Sequence, residues 1–384
     1  MSESASSDLL RRRPPPPIPI LVLTGFLGAG KTTLLNGWVR SATFADAAVV
    51  INEFGEIGID HLLVEQAVGT MLTLSSGCLC CTVRGDLITT LEDLIRRRDN
   101  GRIPPFNRLV IETTGLADPA PILNTIMFHP YLPMRYRLDS VVTVVDALHG
   151  LATIADRDEA LKQVAVADTL VLTKTDLALD GTDRSALTTR LAELNPAARI
   201  LDAAAGGATV SAILDDGLFN LDKRQDQVRT WLNPETYAAE SPHDHDHHDN
   251  DGHHHDANRH DDHIRAFCLT SEAPLDPTAF QMFIDLVRGT HGAKLLRVKG
   301  IVALADDPAH PLVIHGVQHY FHPPHRLGGW PDADHRSRLV FIVRDLDSMV
   351  LQKLWSGFFG GPAIDQPDAA ALAEVHQTAG GLFG

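Results

Sequence analysis

The 384-residue sequence has few cysteines, fewer basic than acidic residues and no long apolar run. Four cysteines in a chain of this length do not make a disulfide framework, which indicates a reducing compartment. Lys and Arg number 33 against 49 Asp and Glu, so the net charge of −16 argues against binding nucleic acid or an anionic membrane by bulk charge. No stretch approaches the roughly 18 apolar residues of a membrane span. These features predict a cytoplasmic protein with neither a nucleic-acid nor a membrane partner.

Chain length and local composition predict two domains, because one hydrophobic core stops growing at roughly 250–300 residues. Residues 1–17 are polar, basic and then proline-rich, and no apolar segment of a signal peptide follows their arginines. We interpret them as a disordered tail, with a partner-binding proline segment as the alternative. Residues 239–263 lack apolar periodicity and predict a linker. The expected domains therefore cover residues 18–238 and 264–384.

Strand-like and helix-like segments alternate through the first domain. Apolar runs predict strands at 18–24, 47–52, 108–112, 141–146 and 169–174, and helical spacing predicts helices at 31–40, 83–98 and 183–194. Continuous apolar strands separated by helices indicate a mostly parallel sheet with helices on both faces. In the second domain, strand-like runs at 264–269, 294–305 and 339–343 and a helix at 277–288 predict a smaller α+β fold.

A glycine-rich segment joins the first predicted strand to the first predicted helix. Its pattern is Gly-x4-Gly-Lys-Thr, and the residues that we assign to the nucleotide are Gly25, Gly28, Gly30, Lys31, Thr32 and Thr33. Such glycines let backbone N–H groups and the helix N-terminus bind phosphate. Lys31 would reach the β and γ phosphates, and the Thr32 hydroxyl would bind Mg²⁺. A P-loop NTPase fold of the α/β class follows; the alternative is a glycine-rich turn without a ligand.

A carboxylate ends the strand predicted at 108–112, as in a Walker B motif. Glu112 stands where Asp is usual and is assigned to Mg²⁺ and, with Lys31, to catalysis. The N–H of Gly115, three residues further on, would meet the γ phosphate. The alternative for Glu112 is a solvated strand end.

A third motif lies at the end of the strand predicted at 169–174 and points to guanine. Thr173, Lys174 and Asp176 resemble the Asn-Lys-x-Asp base reader, with threonine in the place of asparagine. The carboxylate of Asp176 can accept hydrogen bonds from guanine N1–H and from the exocyclic amine, and adenine offers no such pair. Lys174 would lie along the base plane. The motif favours GTP over ATP and argues against the alternative, an ATP-dependent kinase or adenosyltransferase.

Three thiols lie within four residues, at Cys78, Cys80 and Cys81. Thiolates suit Zn²⁺, Cu(I) and other soft or borderline cations, and a set of three leaves one position for an incoming ligand, as metal transfer requires. The alternatives are a buried structural cluster or a disulfide between the two adjacent cysteines. The fourth cysteine, Cys268, lies in an apolar run and is interpreted as a small core residue.

Residues 52–60 lie between the glycine-rich segment and the thiols, in the place of a switch segment that the γ phosphate orders. Asp60 is assigned to Mg²⁺, and Glu53 and Glu56 are further candidates for metal contact; the alternative is a set of surface carboxylates on a mobile loop. The linker holds histidines that we assign as auxiliary metal ligands, with a solvated spacer as the alternative. They are His243, His245, His247, His248, His253, His254 and His255.

Together these motifs resemble the CobW-type family of metal-handling GTPases, which includes cobalamin-synthesis, nitrile hydratase activator and zinc-regulated members. The resemblance is carried by residues 24–36, 52–60, 78–81, 112–119 and 173–176. It implies a GTP-hydrolysing metallochaperone that uses GTP and Mg²⁺, carries Zn²⁺ or Co²⁺ on its thiolates and serves a client metalloprotein or a cobalamin-pathway enzyme. Members often dimerise, so a homodimer is a possible assembly. A metal storage or sensing protein with incidental nucleotide binding is the alternative.

The motifs also suggest how nucleotide and metal are linked. GTP and Mg²⁺ would hold the switch segment and the thiolates in one geometry, and hydrolysis would loosen it and release the metal. Metal and nucleotide affinities must then change each other reciprocally. No residue is obvious for positioning the attacking water, so we expect slow intrinsic turnover.

Overall fold

The computed structural model of the protein describes residues 15–44, 46–54, 71–76, 82–177, 181–214 and 263–360. Its first sheet has seven strands, all parallel, in the order β3-β2-β4-β1-β5-β6-β7. The strands are β1 (Ile18–Gly25), β2 (Ala47–Phe54), β3 (Met71–Ser76), β4 (Arg108–Glu112), β5 (Tyr136–Asp146), β6 (Thr169–Thr173) and β7 (Arg199–Asp202). The predicted parallel sheet is confirmed.

Helices cover both faces of this sheet. They are α1 (Lys31–Val39), α2 (Thr82–Asp99), α3 (Ala120–Phe128), α4 (Leu132–Arg135), α5 (Gly150–Asp156), α6 (Asp158–Val166), α7 (Gly181–Leu194) and α8 (Val210–Leu214). Successive residues of β1 belong to different buried clusters: Ile20 shares one with Leu91 of α2, and Leu21 shares the other with Leu35 of α1. Because successive strand side chains point to opposite faces, this alternation places α2 and α1 on opposite sides. No helix within the described ranges is both long and apolar enough to cross a membrane.

The second sheet is antiparallel and has six strands, in the order β11-β10-β9-β13-β8 with β12 beside β10. Its strands are β8 (Ile264–Ser271), β9 (Leu295–Val302), β10 (Leu312–Val317), β11 (Tyr320–Phe321), β12 (His325–Arg326) and β13 (Ser337–Arg344). Helices α9 (Pro277–His291) and α10 (Ser348–Phe359) pack on it, and Phe283 meets Trp355 edge-on at 5.2 Å between ring centroids. This confirms the predicted smaller α+β fold.

The two sheets are joined by a buried ionic contact. Asp168, which precedes β6, receives Arg297 and Lys299 of β9 at 2.7 Å each, and all three side chains are at most 5% exposed. Burial alone would raise the pKa of Asp168, but the two cations override it and lower that pKa to about 2. Apolar packing joins the same two parts of the molecule, since Leu296 of β9 and Ile342 of β13 share a buried cluster with residues of α6 and α7.

The predicted element bounds differ from the structure mainly where polar residues interrupt an apolar run. The strand predicted at 141–146 begins earlier, at Tyr136, because Arg137 and Asp139 hide its first half from an apolar pattern. Helix α3 was not predicted, because it is buried on nearly all sides and so has little apolar periodicity. The strand predicted at 294–305 ends at Val302.

Candidate functional site: a phosphate and base pocket at the carboxyl edge of the parallel sheet

The phosphate loop links β1 to α1 and depends on glycine for its path. Gly25, Gly28 and Gly30 have φ values of 141°, 72° and 93°, which side-chain-bearing residues rarely adopt. A Cβ on Gly25 would also lie 2.3 Å from the carbonyl oxygen of Val144 in β5. Because Gly30, the N-cap of α1, has no side chain that could cap the helix, the first N–H groups of the helix are left for a ligand.

Lys31 is folded over this loop. Its side chain is largely buried, with 8% exposed, and Nζ donates to the carbonyl oxygens of Gly25 at 2.9 Å and Phe26 at 3.2 Å. The ammonium is therefore held at the loop between β1 and α1, where the sequence predicts phosphate binding. Thr33, two residues further along α1, lines a cavity beside the loop.

Thr32 and Glu112 meet across 80 residues of sequence. The Thr32 hydroxyl donates to Glu112 Oε1 at 2.8 Å, and Glu112 is 4% exposed. The contact arises because β1 and β4 are adjacent parallel strands, with Leu23 opposite Glu112, so both carboxyl ends reach the same edge. A hydroxyl and a carboxylate oxygen are hard donors of the kind that Mg²⁺ prefers, so this pair fits the ion predicted for it.

Gly115 lies against the phosphate loop. A Cβ at this position would come within 2.6 Å of the backbone nitrogen of Leu27, so a side chain would push the two loops apart. The structure thus brings Gly115 to the place where the sequence predicts contact with the γ phosphate. The loop that follows β4 and the phosphate loop form one surface.

The base-reading motif is attached to the phosphate loop. Thr173, in the place of asparagine, donates through Oγ1 to the carbonyl oxygen of Ala29 at 2.6 Å. Lys174 has a φ of 57° and its Nζ lies 2.7 Å from Asp146 Oδ2. Burial tends to raise the pKa of Asp146, but hydrogen bonds led by that of Lys174 lower it, so the carboxylate that holds Lys174 stays charged. Asp176 is exposed and faces a cavity.

This cavity has a volume of about 800 Å³, within the roughly 300–1,000 Å³ of small-molecule sites. Asp176, Lys174, Gly30 and Trp38 line it, together with residues of the segment after β7. The cavity therefore joins the phosphate loop to the predicted base reader.

The segment after β7 also lines the cavity, although no sequence motif predicted a site there. Asp202 ends that strand and accepts hydrogen bonds from Thr175 Oγ1 at 2.7 Å and Ala205 N at 3.1 Å. Burial opposes these bonds but does not outweigh them, so the pKa of Asp202 is lowered. Ala203 and Ala204 then line the cavity. The available signal was a strand-ending carboxylate followed by small residues, a pattern typical of a tight loop at a sheet edge.

The predicted transition-metal ligands lie outside the described residues. This holds for Cys78, Cys80 and Cys81, for Glu56 and Asp60, and for the linker histidines. Across the described ranges, no group of three or more His, Cys, Asp or Glu side chains is placed to hold a metal. Cys268, which is described, is a half-buried free thiol in β8, and burial raises its pKa to about 12.

Comparison with known families finds matches on both sides of the predicted linker. Residues 19–202 match the CobW/HypB/UreG nucleotide-binding domain, and residues 264–359 match the cobalamin synthesis protein CobW C-terminal domain. The first match spans the phosphate loop, Glu112 and the base-reading motif.

Individual relatives extend over most of the chain. The zinc chaperone YjiA of Escherichia coli (strain K12) is 32% identical over 341 residues, covering 89% of this chain and 98% of its own. The zinc chaperone CobW of Pseudomonas aeruginosa is 31% identical over 368 residues, covering 87% and 89%. The crystal structure of the Zn(II)-bound YjiA GTPase from E. coli superposes with a TM-score of 0.65 at 28% identity, covering 90% of this chain and 99% of its own. With both domains matched and the phosphate and base motifs at one edge of a P-loop GTPase fold, the chain is a member of the CobW family.

Proposed function

We propose that this chain is a GTPase metallochaperone whose hydrolysis of GTP controls its hold on a Zn²⁺ or Co²⁺ cargo. The observation that carries the GTPase part is the meeting of Thr32 and Glu112 at 2.8 Å beside the phosphate loop. Relatives that cover nearly the whole chain are named zinc chaperones, and one of them is named a GTPase. The metal-handling part is inferred from these relatives and from the three thiols.

Each residue of the phosphate half has a separate task in this proposal. Lys31 would exchange its loop carbonyls for phosphate oxygens and balance charge on the β and γ phosphates. The glycines keep backbone N–H groups open to the same oxygens. Thr32 and Glu112, with Asp60, would hold Mg²⁺, which when bound offsets negative charge on the phosphates. Gly115 would give its N–H to the γ phosphate.

The base half gives specificity. Asp176 would accept two hydrogen bonds from guanine, Lys174 would lie along the ring with its ammonium held by Asp146, and Thr173 fixes the distance from base reader to phosphate loop. A wrong base leaves the carboxylate of Asp176 unpaired in the pocket, which costs affinity.

The metal half is carried by Cys78, Cys80 and Cys81, with Zn²⁺ or Co²⁺ as cargo for a client metalloprotein or a cobalamin-pathway enzyme. The linker histidines would capture metal more weakly, because a chain segment must be ordered to use them. The family resemblance also suggests a homodimer as the assembly.

The guanine assignment is tested by Asp176→Asn. Xanthine carries a carbonyl where guanine carries its exocyclic amine, so an amide at this position should favour xanthine nucleotides. We expect the variant to lose GTP affinity about 10²-fold or more and to gain XTP affinity, since an unpaired polar group in the site penalises the wrong base. Competition titration of GTP, XTP and ATP measures this. Wild-type protein that binds ATP as well as GTP would exclude the assignment.

The metal assignment is tested by titrating metal-free protein with Zn²⁺ and Co²⁺ in the presence of a GTP analogue or GDP. Coupling of about 1–3 kcal/mol, a change of roughly 5–150-fold, is expected between the two nucleotides. A Cys80→Ser, Cys81→Ser variant should lose the tight site and its coupling. Equal affinities with both nucleotides would contradict control by hydrolysis, and a Lys31→Ala variant that keeps the cellular role would favour storage.

A further inference from the structure

Gln163, on α6, is a buried amide whose side chain reaches the loop after β4. It is 1% exposed, and Nε2 donates to the carbonyl oxygens of Gly115 at 3.2 Å and Ala117 at 3.0 Å. The sequence analysis did not single out this residue. Its two bonds end on the loop that would sense the γ phosphate.

The loop itself has little room to adjust. On one side Gly115 presses against the backbone of Leu27, where even a Cβ would lie within 2.6 Å. On the other side the amide of Gln163 fixes the Gly115 carbonyl. Because a peptide unit is planar, holding this carbonyl also fixes the direction of the Leu116 N–H. The loop is therefore clamped between the phosphate loop and α6.

A second contact comes from the neighbouring residue of the same helix. Lys162 Nζ lies 3.0 Å from Asp118 Oδ2, and Asp118 Oδ1 accepts from the N–H of Ala120 at the start of α3. The helix in turn is attached to the sheet, since Thr143 of β5 donates to the carbonyl oxygen of Gln163 at 2.6 Å. Successive residues of α6 thus hold successive parts of the loop against a rigid support.

The place where this amide donates points to a positioning role, because both of its bonds end on the loop after β4. Gln163 Oε1 is buried and has no hydrogen-bond partner among the described residues, which is unfavourable. An apolar side chain of the same length would avoid that cost and fill the same space. What it would not supply is the pair of donors on Gly115 and Ala117.

We propose that Gln163 is a positioning residue for γ-phosphate recognition, holding the loop from Gly115 to Ala117 in the geometry that a nucleoside triphosphate requires. The inference rests on the proposed GTPase site. Gln163 acts through the loop backbone and does not itself touch the nucleotide. It should therefore affect triphosphate binding and turnover while leaving diphosphate binding nearly unchanged.

The test compares Gln163→Met with Asn195→Leu. Methionine keeps the length and volume of glutamine but donates no hydrogen bond. Asn195 is a matched control, because it is also a 1% exposed amide whose nitrogen caps backbone carbonyls, those of Val164, Ala165 and Ala167. Its bonds lie at the end of α6, away from the loop after β4.

We expect Gln163→Met to weaken binding of a non-hydrolysable GTP analogue about tenfold, the equivalent of one or two net hydrogen bonds, and to lower kcat. GDP affinity should change less than about twofold, because GDP has no γ phosphate for this loop to contact. Asn195→Leu should lower the midpoint of urea unfolding but keep the wild-type ratio of GTP-analogue to GDP affinity.

The outcomes separate this inference from the function on which it rests. If wild-type protein does not discriminate GTP from ATP, the GTPase proposal is wrong. If the wild type discriminates but Gln163→Met keeps the wild-type ratio, or shifts it no more than Asn195→Leu does, Gln163 has only a structural role. A Gln163→Met variant that folds but binds neither GDP nor the GTP analogue would also overturn the proposal.

Discussion

The two edges of the parallel sheet use buried carboxylates in opposite ways. At the amino edge, Asp168 lies between Arg297 and Lys299 of the other sheet, and its charge is balanced within the fold. At the carboxyl edge, Glu112 accepts a hydrogen bond from the hydroxyl of Thr32, a residue of the phosphate loop. Both acids are more than nine-tenths buried. Burial alone therefore does not distinguish an acid that holds the fold together from an acid of the proposed site; the partner of the carboxylate does.

Removing the structural acid should give the largest effect. Asp168→Ala leaves two buried cations facing each other, so we expect the free energy of unfolding to fall by about 3–5 kcal/mol. Urea unfolding measures this. Asp139→Ala is the control, because Asp139 pairs with Arg108 at the same edge but its partner is 19% exposed, and its loss should be smaller. A smaller loss of unfolding free energy for Asp168→Ala than for Asp139→Ala would contradict the structural role of Asp168.

Removing the negative charge of Glu112, the acid of the proposed nucleotide site, should act on turnover instead. Glu112→Gln keeps the shape and can still accept from Thr32, but it weakens any hold on Mg²⁺. We expect kcat for GTP to fall about 10²–10³-fold, as for loss of one preorganised electrostatic group. The urea midpoint should stay near that of the wild type. Full turnover in saturating Mg²⁺ would remove Glu112 from the site.

Acid should weaken the structural edge in two steps. Burial, reinforced by Arg297 and Lys299, holds the pKa of His315 well below its ordinary value of about 6.5, and the pKa of Asp168 is lowered to about 2. Groups with a lowered folded-state pKa stabilise the fold above their unfolded-state pKa and lose that contribution as pH falls.

Stability should therefore decline first below about pH 6.5, through His315, and again from about pH 4 towards pH 2, through Asp168. The second step is worth about 2 kcal/mol. Urea midpoints measured from pH 8 to pH 2 follow both steps. A His315→Asn variant should lose the upper step and keep the lower one; an unchanged upper step would assign it to other groups.

The smallest effect is expected for nucleotide binding at Thr173, which also lies at the carboxyl edge. Thr173→Val keeps the side-chain shape but removes the hydroxyl that donates to Ala29. One net hydrogen bond is worth about 1 kcal/mol, so we expect GDP and GTP to bind about fivefold more weakly, and equally so. Isothermal titration measures both. Unequal losses would mean that this contact also serves γ-phosphate sensing.

Much of the fold was predictable because its signals are local. The apolar run before Gly25, the helix that Lys31 opens and the strand that ends at Glu112 all lie at or within one residue of their predicted bounds. Elements whose identity depends on distant partners were missed. β7 has only four residues, and its pairing with β6 defines it as a strand. α3 is apolar on nearly every side because α2 and β10 cover it.

The residues of the candidate site also fall into those with local sequence signals and those identified only by distant partners. The phosphate and base chemistry was predictable from the sequence, because Lys31, Thr32, Glu112 and Asp176 belong to motifs that are recognised by their spacing within the chain. The contacts of Asp202 with Thr175, of Gln163 with Gly115 and of Asp168 with Arg297 become visible only in the folded chain. Each of these side chains is defined by a partner from a separate strand, loop or helix, and the distance between such groups is set by how sheets and helices pack.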